Sequence, residues 1–228
     1  MSIKVVGFDA DDTLWINENY FREGEKKFCE LMNSYLTEDK TMALLYDNEM
    51  NTLDIYGFGI KGFVLSMIET ASQIMKEHLN NVIIDQIVDI GKEMLNKPVE
   101  LFDGVEDTLK GLQHKYRLIL VTKGDLLDQE RKLEKSGITR YFHHVEVMSN
   151  KHEADYLKLI KHLDIDSSEF LMIGNSLRSD ILPVTKIGSK AVYIPYDITW
   201  QHETVDTHDL HEAEYETINK LPDVLTLL

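Results

Sequence analysis

The sequence predicts an α/β fold: a parallel sheet with helices on both faces, interrupted by one inserted helical segment. Three observations lead to this prediction. A short apolar run at residues 3–8 stops abruptly at acidic residues, as expected for a buried parallel strand. From Phe102 onward, further apolar runs alternate with amphipathic helical patterns. Between these two regions, residues 19–98 show only helical periodicity.

The strands are expected where short apolar runs end in polar or glycine-containing turns. These runs are residues 3–8, 117–122, 144–148, 170–174 and 190–195. Helical patterns separate them, and this order implies parallel pairing with right-handed crossovers. The core is therefore predicted to be Rossmann-like. In such sheets the carboxyl ends of the strands share one edge, where ligands bind.

The inserted segment is predicted to be an all-helical cap. Its apolar residues recur at three- and four-residue spacing in stretches 19–36, 42–50, 61–76 and 82–95. We expect the cap to span residues 15–98 and the α/β core to comprise residues 1–14 and 99–228. Within the cap, residues 56–63 combine aromatic residues, glycines and Lys61. This stretch is either a tight turn between helices or a substrate-facing loop whose lysine meets an anion.

Composition limits the classes of partner. The chain of 228 residues has a net charge of −16, so an acidic surface should repel nucleic acids and anionic membranes. No apolar run approaches the roughly 20 residues that span a bilayer, and we expect no signal peptide. A single cysteine, Cys29, excludes an internal disulfide and suits a reducing cytoplasm. The oligomeric state is not predicted.

The first apolar run ends in a group of acidic residues that suggests chemistry. If the backbone stays extended, Asp9, Asp11 and Thr13 point to the same side. Two carboxylates so close cannot both ionise freely unless a cation or a proton lies between them. The pattern therefore suggests a divalent metal, an acid–base pair, or both. The alternative is a strand followed by an Asp-rich turn.

This stretch resembles the first motif of the haloacid dehalogenase-like hydrolase superfamily, Asp-x-Asp-x-Thr after the first strand. Three later stretches resemble the other motifs of that family. They are Thr122 with Lys123 and Gly124 after the second core strand, Lys151 before a helix, and Gly174-Asn175 through Asp180 after the fourth core strand. The proline that usually follows the motif lysine is absent, and Asn175 stands where the family usually has Asp.

The resemblance implies a phosphatase that works through an aspartyl-phosphate intermediate. Asp9 would be the nucleophile and Asp11 the general acid and base. Thr122 and the residues after it, Lys123 and Gly124, would hold phosphate oxygens. Lys151 would neutralise the nucleophile and the phosphoryl group, with Lys158 as a competing assignment.

The resemblance also implies a Mg²⁺ cofactor. Its ligands would be Asp9, the backbone carbonyl of Asp11, and Asp180, all oxygen donors suited to this cation. Asn175 could ligate the metal or hold its water, but it brings no charge. A capped site on an acidic chain favours a small phosphorylated metabolite as substrate.

The resemblance leaves other functions open. Within the family, these are phosphonate cleavage, phosphomutase activity and dehalogenation, although Asp11 argues against dehalogenation. Phosphonate cleavage would need a Schiff-base lysine in the cap, and Lys61 is the candidate. A non-catalytic binding protein on the same fold is favoured only by Asn175. The histidines are expected at the surface rather than in a second metal site; they are His143, His144, His208 and His211.

Overall fold

The computed structural model describes residues 2–198, 200–205 and 213–228. In these ranges six parallel strands form one sheet in the order β3-β2-β1-β4-β5-β6. The strands are β1 (Val5–Phe8), β2 (Arg117–Lys123), β3 (His144–Met148), β4 (Phe170–Gly174), β5 (Lys190–Tyr193) and β6 (Glu216–Thr217). The predicted α/β fold class is confirmed. The sequence did not reveal β6, because its two residues are exposed and polar.

Eight α-helices are present in the described residues. They are α1 (Glu18–Met32), α2 (Glu38–Tyr56), α3 (Ile60–Met75), α4 (Asn81–Asn96), α5 (Val105–Leu112), α6 (Leu126–Ser136), α7 (Glu153–Leu163) and α8 (Leu182–Lys186). A π-helical turn, Leu177–Ile181, leads into α8. Near the C-terminus, a 3₁₀ helix at Leu221–Thr226 buries Leu221 and Val224.

The sheet is covered on both faces because its side chains alternate. Val6 and Phe8 of β1 lie in a buried cluster with α5 and α6. Val5, from the same strand, lies in the opposite cluster with α7 and α8. All four residues of β1 are buried, which explains why this strand is a continuous apolar run rather than an alternating one.

The chain divides into two compact units. The sheet unit comprises the residues up to Glu18 together with Val99–Lys123 and Gln129–Leu228. The helical unit comprises Asn19–Pro98 and the short stretch Gly124–Asp128. Trp15 falls in the sheet unit, where it forms isolated bridges with Asp11 and Leu101.

The helical unit has an apolar core of its own, built from α1, α2, α3 and α4. Cys29 is buried there, and burial raises the pKa of its thiol to about 11, so it is a packing residue. Among the described residues, none of the helices has the length and apolar character to cross a membrane.

Candidate active site

Three strands end side by side at one edge of the sheet. Phe8, the last residue of β1, pairs with Leu120 of β2 on one side and with Ile173 of β4 on the other. Asp9 directly follows the first of these, and Thr122 and Asn175 each lie two residues beyond the others. The parallel register therefore brings together residues that are more than a hundred positions apart, as predicted from the fold.

Asp9 is buried at this edge. Its backbone N–H donates to the carbonyl oxygen of Ile173 at 2.9 Å, and Thr13 Oγ1 donates to Asp9 Oδ2 at 3.1 Å. The remaining carboxylate oxygen, Oδ1, accepts from Lys151 Nζ at 2.5 Å. Asp9 is thus fixed by the strand register, by a hydroxyl and by an ammonium group.

Lys151 is shared between two acids. Its Nζ also donates to Asp180 Oδ1 at 2.7 Å, and only 1% of the side chain of either residue is exposed. Burial disfavours the charged ammonium, but the carboxylates of Asp180 and Asp9 outweigh this effect and raise the pKa of Lys151 above its ordinary value. Burial and the Asp180 carboxylate together raise the pKa of Asp9 to about 7, against the opposing effect of Lys151.

Asp11 lies in a different environment from Asp9. Trp15 Nε1 donates to its Oδ1 at 2.7 Å, Gln129 Nε2 to its Oδ2 at 2.8 Å, and Lys132 Nζ to its Oδ1 at 2.6 Å. Burial works to raise the pKa of Asp11, but the ion pair with Lys132 and the three hydrogen bonds lower it.

The separation of the two acids departs from the expectation of an extended backbone. The strand ends at Phe8, and the backbone N–H groups of Thr13 and Leu14 both turn back to the carbonyl oxygen of Ala10. Asp9 and Asp11 therefore do not share one counter-charge. Asp9 pairs with Lys151 and Asp11 with Lys132, and these two cations relieve the repulsion between the carboxylates.

Asp12, the third acid of the motif, has a structural role. Its carboxylate accepts from the backbone N–H groups of Asn17 and Glu18 at 2.9–3.1 Å. These groups lie at the start of α1, where backbone donors lack partners within the helix. Asp12 therefore caps α1, and the motif loop and the helix start are one hydrogen-bonded unit.

The loop from Asn175 to Asp180 brings the fourth motif to the site. Ser176 N–H donates to Asp180 Oδ2 at 3.0 Å, which turns that carboxylate back toward β4. A Cβ atom at Gly174 would lie 2.2 Å from the same oxygen, so this approach needs glycine. One end of the Asn175 amide lies 3.2 Å from each of Asp9 Oδ2, Thr13 Oγ1 and the Asp11 carbonyl oxygen. An NH₂ group at that end satisfies these surrounding oxygens.

A further ion pair, formed by a third lysine, adjoins this loop. Lys123 Nζ donates to Ser179 Oγ at 2.8 Å and also to the carboxylate of Glu203. The Glu203 carboxylate accepts in addition from the hydroxyl groups of Ser176 and Ser179. The ammonium group of Lys123, predicted to bind substrate, is therefore engaged with Glu203 and Ser179 in this structure.

The remaining predicted phosphate contacts lie at the carboxyl end of β2. Thr122 is buried and its hydroxyl donates to the carbonyl oxygen of Lys123 at 3.2 Å. Gly124, the next residue along, has a φ of 121°, a conformation that side-chain-bearing residues rarely adopt. The strand therefore ends in an abrupt turn, and the roles of Thr122 and Gly124 in substrate binding stay predictions.

Lys61 belongs to the helical unit. Its Nζ donates to both carboxylate oxygens of Asp125 at 2.8 and 2.9 Å, so the anion that it meets here is a side chain of the protein. The glycine-rich stretch before it forms the short connection between α2 and α3, with Gly57 and Gly59 at positive φ. The substrate contact predicted for Lys61 is untested.

Several residues at the site were not predicted from the sequence. They are Gln129, Lys132, Ser176, Ser179 and Glu203. Both Gln129 and Lys132 donate to Asp11. The only sign of this in the sequence is their three-residue spacing, which places them on one face of a helix. His143 and His144 contact each other, Nδ1 to Nδ1, at 3.2 Å, whereas His208 and His211 lie outside the described residues.

Comparison with known proteins gives consistent results. A family model described as haloacid dehalogenase-like hydrolase matches residues 3–188. A crystal structure of a haloacid dehalogenase-like family hydrolase from Xanthomonas campestris is similar over 99% of this chain and 91% of that chain. Its TM-score is 0.87 and its sequence identity is 36%.

Two curated relatives are named glyceraldehyde 3-phosphate phosphatase. The protein from Methanothermobacter thermautotrophicus is 26% identical over 98% of this chain and 100% of its own length. The protein from Pyrococcus abyssi is 33% identical over 86 residues, a match that spans 36% of each chain. The second match thus spans little more than a third of that relative.

Proposed function

Since this chain belongs to the haloacid dehalogenase-like hydrolase family, we propose that it is a Mg²⁺-dependent phosphatase acting through an aspartyl-phosphate intermediate. The observation that carries this proposal is the buried Lys151, whose ammonium joins Asp9 to Asp180 while Asp11 is held separately by Lys132. Two acids in distinct environments can take distinct roles, one as nucleophile and the other as proton carrier.

Asp9 is the proposed nucleophile. One of its carboxylate oxygens attacks phosphorus, and the bond from phosphorus to the ester oxygen breaks with its electron pair on that oxygen. Lys151 reduces the repulsion between the carboxylate and the phosphoryl group, since its Nζ lies 2.5 Å from Asp9 Oδ1. Thr122, the Lys123 and Gly124 amides, and Lys151 are proposed to hold the phosphoryl oxygens.

Asp11 is the proposed general acid and base. In the first step it protonates the departing ester oxygen; in the second it takes a proton from the water that cleaves the aspartyl-phosphate and releases inorganic phosphate. The lowered pKa of Asp11 suits the second role. The first role requires its contact with Lys132 to loosen, because an ammonium 2.6 Å away favours the ionised carboxylate.

The donors around Asp9 fit Mg²⁺. Carboxylates of Asp9 and Asp180 and the Asp11 carbonyl oxygen are hard oxygen ligands around one small region. The Asn175 amide faces the same region with its NH₂ group, so it would add a fourth oxygen ligand only after the amide turns over. When bound there, Mg²⁺ would neutralise charge on the transferring phosphoryl group. We therefore propose that Asp9, Asp11 through its carbonyl, Asp180 and Asn175 hold the cation.

The proposed substrate is a small phosphorylated metabolite. Two relatives named glyceraldehyde 3-phosphate phosphatase make a triose phosphate the first compound to test. We further propose that the helical unit is a specificity cap, with Lys61 as a candidate substrate contact. A cytoplasmic location fits the buried free thiol of Cys29.

The test is hydrolysis of p-nitrophenyl phosphate, acetyl phosphate and glyceraldehyde 3-phosphate, each with Mg²⁺ and with EDTA. We expect metal-dependent turnover that Asp9→Asn lowers by about 10⁴-fold or more, because the covalent step is lost. Asp103→Asn, a change at an exposed acid, is the matched control. Appreciable turnover by Asp9→Asn would contradict the covalent scheme. A folded wild type without any turnover would favour a binding protein instead.

A further inference from the structure

Glu203 is a buried carboxylate with an unusual number of donors. It lies in the segment that follows β5, and 12% of its side chain is exposed. Lys123 Nζ and the hydroxyl groups of Ser176 and Ser179 all donate to it. Burial alone would raise the pKa of Glu203, but these donors, led by Lys123, lower it to about 2. Glu203 is therefore ionised at neutral pH.

The two serines that Glu203 contacts shape the loop of the fourth motif. Ser176 Oγ accepts from the backbone N–H of Ser179 at 3.0 Å, and Ser176 N–H donates to Asp180 Oδ2 at 3.0 Å. Tyr156 reaches the same turn from α7, since its hydroxyl donates to the carbonyl oxygen of Ser179 at 3.0 Å. Glu203 thus joins the two ends of the short turn that orients the Asp180 carboxylate.

Glu203 also compensates a positive charge. Lys123 Nζ lies 2.8 Å from Ser179 Oγ, next to Asp180 in sequence. Glu203 thus places a carboxylate beside this ammonium, close to the proposed cation ligands. That carboxylate offsets part of the repulsion between the ammonium and a dication bound nearby.

We propose that Glu203 is a positioning residue for the Mg²⁺ site: it fixes Ser176 and Ser179, and through them the loop that presents Asn175 and Asp180. This inference rests on the proposed function. Residues that hydrogen-bond to the ligands of a metal orient those ligands and tune the affinity of the site for the metal. Glu203 would have this role from outside the four motifs, in the segment that follows β5.

The test is Mg²⁺ binding to the full chain without substrate, measured by isothermal titration calorimetry at pH 7. We expect Glu203→Gln to weaken binding by about tenfold or more, within the range known for such outer groups. Glu169→Gln is the matched control: Glu169 pairs with Lys4 and has a similarly buried side chain, 14% exposed, but it precedes β4 at the opposite end of the strand. We expect it to bind Mg²⁺ like the wild type.

A second variant controls for misfolding, because Glu203→Gln removes the carboxylate that pairs with Lys123. The double variant Lys123→Met/Glu203→Met removes both charges and the acceptor oxygens, an exchange that buried ion pairs often tolerate. Since the serines then lack their acceptor, this variant should also bind Mg²⁺ about threefold or more weakly than the wild type. Circular dichroism and melting temperature verify the fold of each variant.

The outcomes separate this inference from the proposed function. Wild type that binds Mg²⁺, with Glu203→Gln or the folded double variant binding equally tightly, would overturn the positioning role and leave the phosphatase proposal intact. Wild type that neither binds Mg²⁺ nor hydrolyses any ester would overturn both.

Discussion

Buried acids are treated differently in the two units of this chain. In the sheet unit four acids of the site contact lysines: Asp9 and Asp180 with Lys151, Asp11 with Lys132, and Glu203 with Lys123. The fifth, Asp12, caps α1 without a lysine, and burial raises its pKa to about 7. In the helical unit, Glu25 accepts from Arg22 at 2.9–3.1 Å. Glu49 lies near both, and burial together with Glu25 raises its pKa to about 8, although Arg22 opposes this.

This difference between the two units is the one expected between acids that must be ionised for chemistry and acids that need not be. A nucleophile, a base and metal ligands must be ionised near pH 7, so each needs a cation beside it. A carboxylate that only fills space can keep its proton. Four carboxylates at the site face three lysines, which leaves one negative charge. Mg²⁺ would reverse that sign and favour a phosphate ester, despite a net charge of −16 for the chain.

The largest effect is expected from the removal of Lys151, the lysine that Asp9 and Asp180 share. Lys151→Met should lower the free energy of unfolding at pH 7 by about 3 kcal/mol or more, because two buried carboxylates lose their cation. The deficit should shrink toward pH 5, where one of the two acids takes up a proton. Urea unfolding at both pH values measures this.

The control for that variant is Lys158→Met, a change at a lysine whose side chain is 77% exposed and which pairs locally with Asp155. We expect a loss of less than about 1 kcal/mol there. Equal stability of Lys151→Met and the wild type at pH 7 would show that the ion triad contributes nothing to the fold.

A smaller effect is expected when only Asp11 loses its cation. Lys132→Met leaves the donors Gln129 and Trp15 in place, so the loss at pH 7 should be about 1–3 kcal/mol. The pKa of Asp11 is lowered in the folded state. Its stabilising contribution is therefore present above its unfolded pKa of about 3.9 and is lost as the pH falls below it.

Unfolding at pH 7 and pH 3.5 tests this, with Arg131→Met, an exposed neighbour on α6, as the control. The difference between Lys132→Met and the wild type should be smaller at pH 3.5. A loss of the same size at both pH values would point to packing rather than charge.

The smallest expected effect lies in the helical unit and has the opposite sign. The pKa of Glu49 is raised, so its proton is retained on folding and stability falls as the pH rises from about 4.5 toward 8. Glu49→Gln should therefore stabilise the chain by about 1 kcal/mol at pH 8.5 and by less at pH 5. Melting temperatures at the two pH values measure it, with Glu77→Gln as an exposed control. A gain that did not depend on pH would contradict the assignment.

The sequence predicted the position of a residue best where that residue lies at the end of a strand. Asp9 and Thr122 lie at strand ends, so a parallel sheet brings them to one edge. Lys151 was found because a motif marks it. Lys132 and Glu203 could not be found this way: a charged helix offers many lysines, and an acidic C-terminal stretch offers many glutamates. Which of them reaches the site depends on tertiary packing.

Asp11 shows the other limit. Its residue type marked Asp11 as a candidate site residue, but the direction of its side chain could not be predicted, because the chain leaves the strand at Asp9 and turns at Ala10. Alternation holds only while the backbone is extended. The hydrogen bond from Trp15 Nε1 to Asp11 Oδ1 at 2.7 Å depends on this turn and could be recognised only with the fold in hand.

Gly174 leaves the chain little freedom to vary at this point. A methyl group there would overlap Asp180, whose carboxylate carbon would lie 2.4 Å from the added atom. Even alanine, usually the mildest replacement, would force Asp180 to move from the position in which it contacts Lys151. Redesign of this site must therefore keep glycine at position 174, because the space of a side chain there is already filled by a carboxylate.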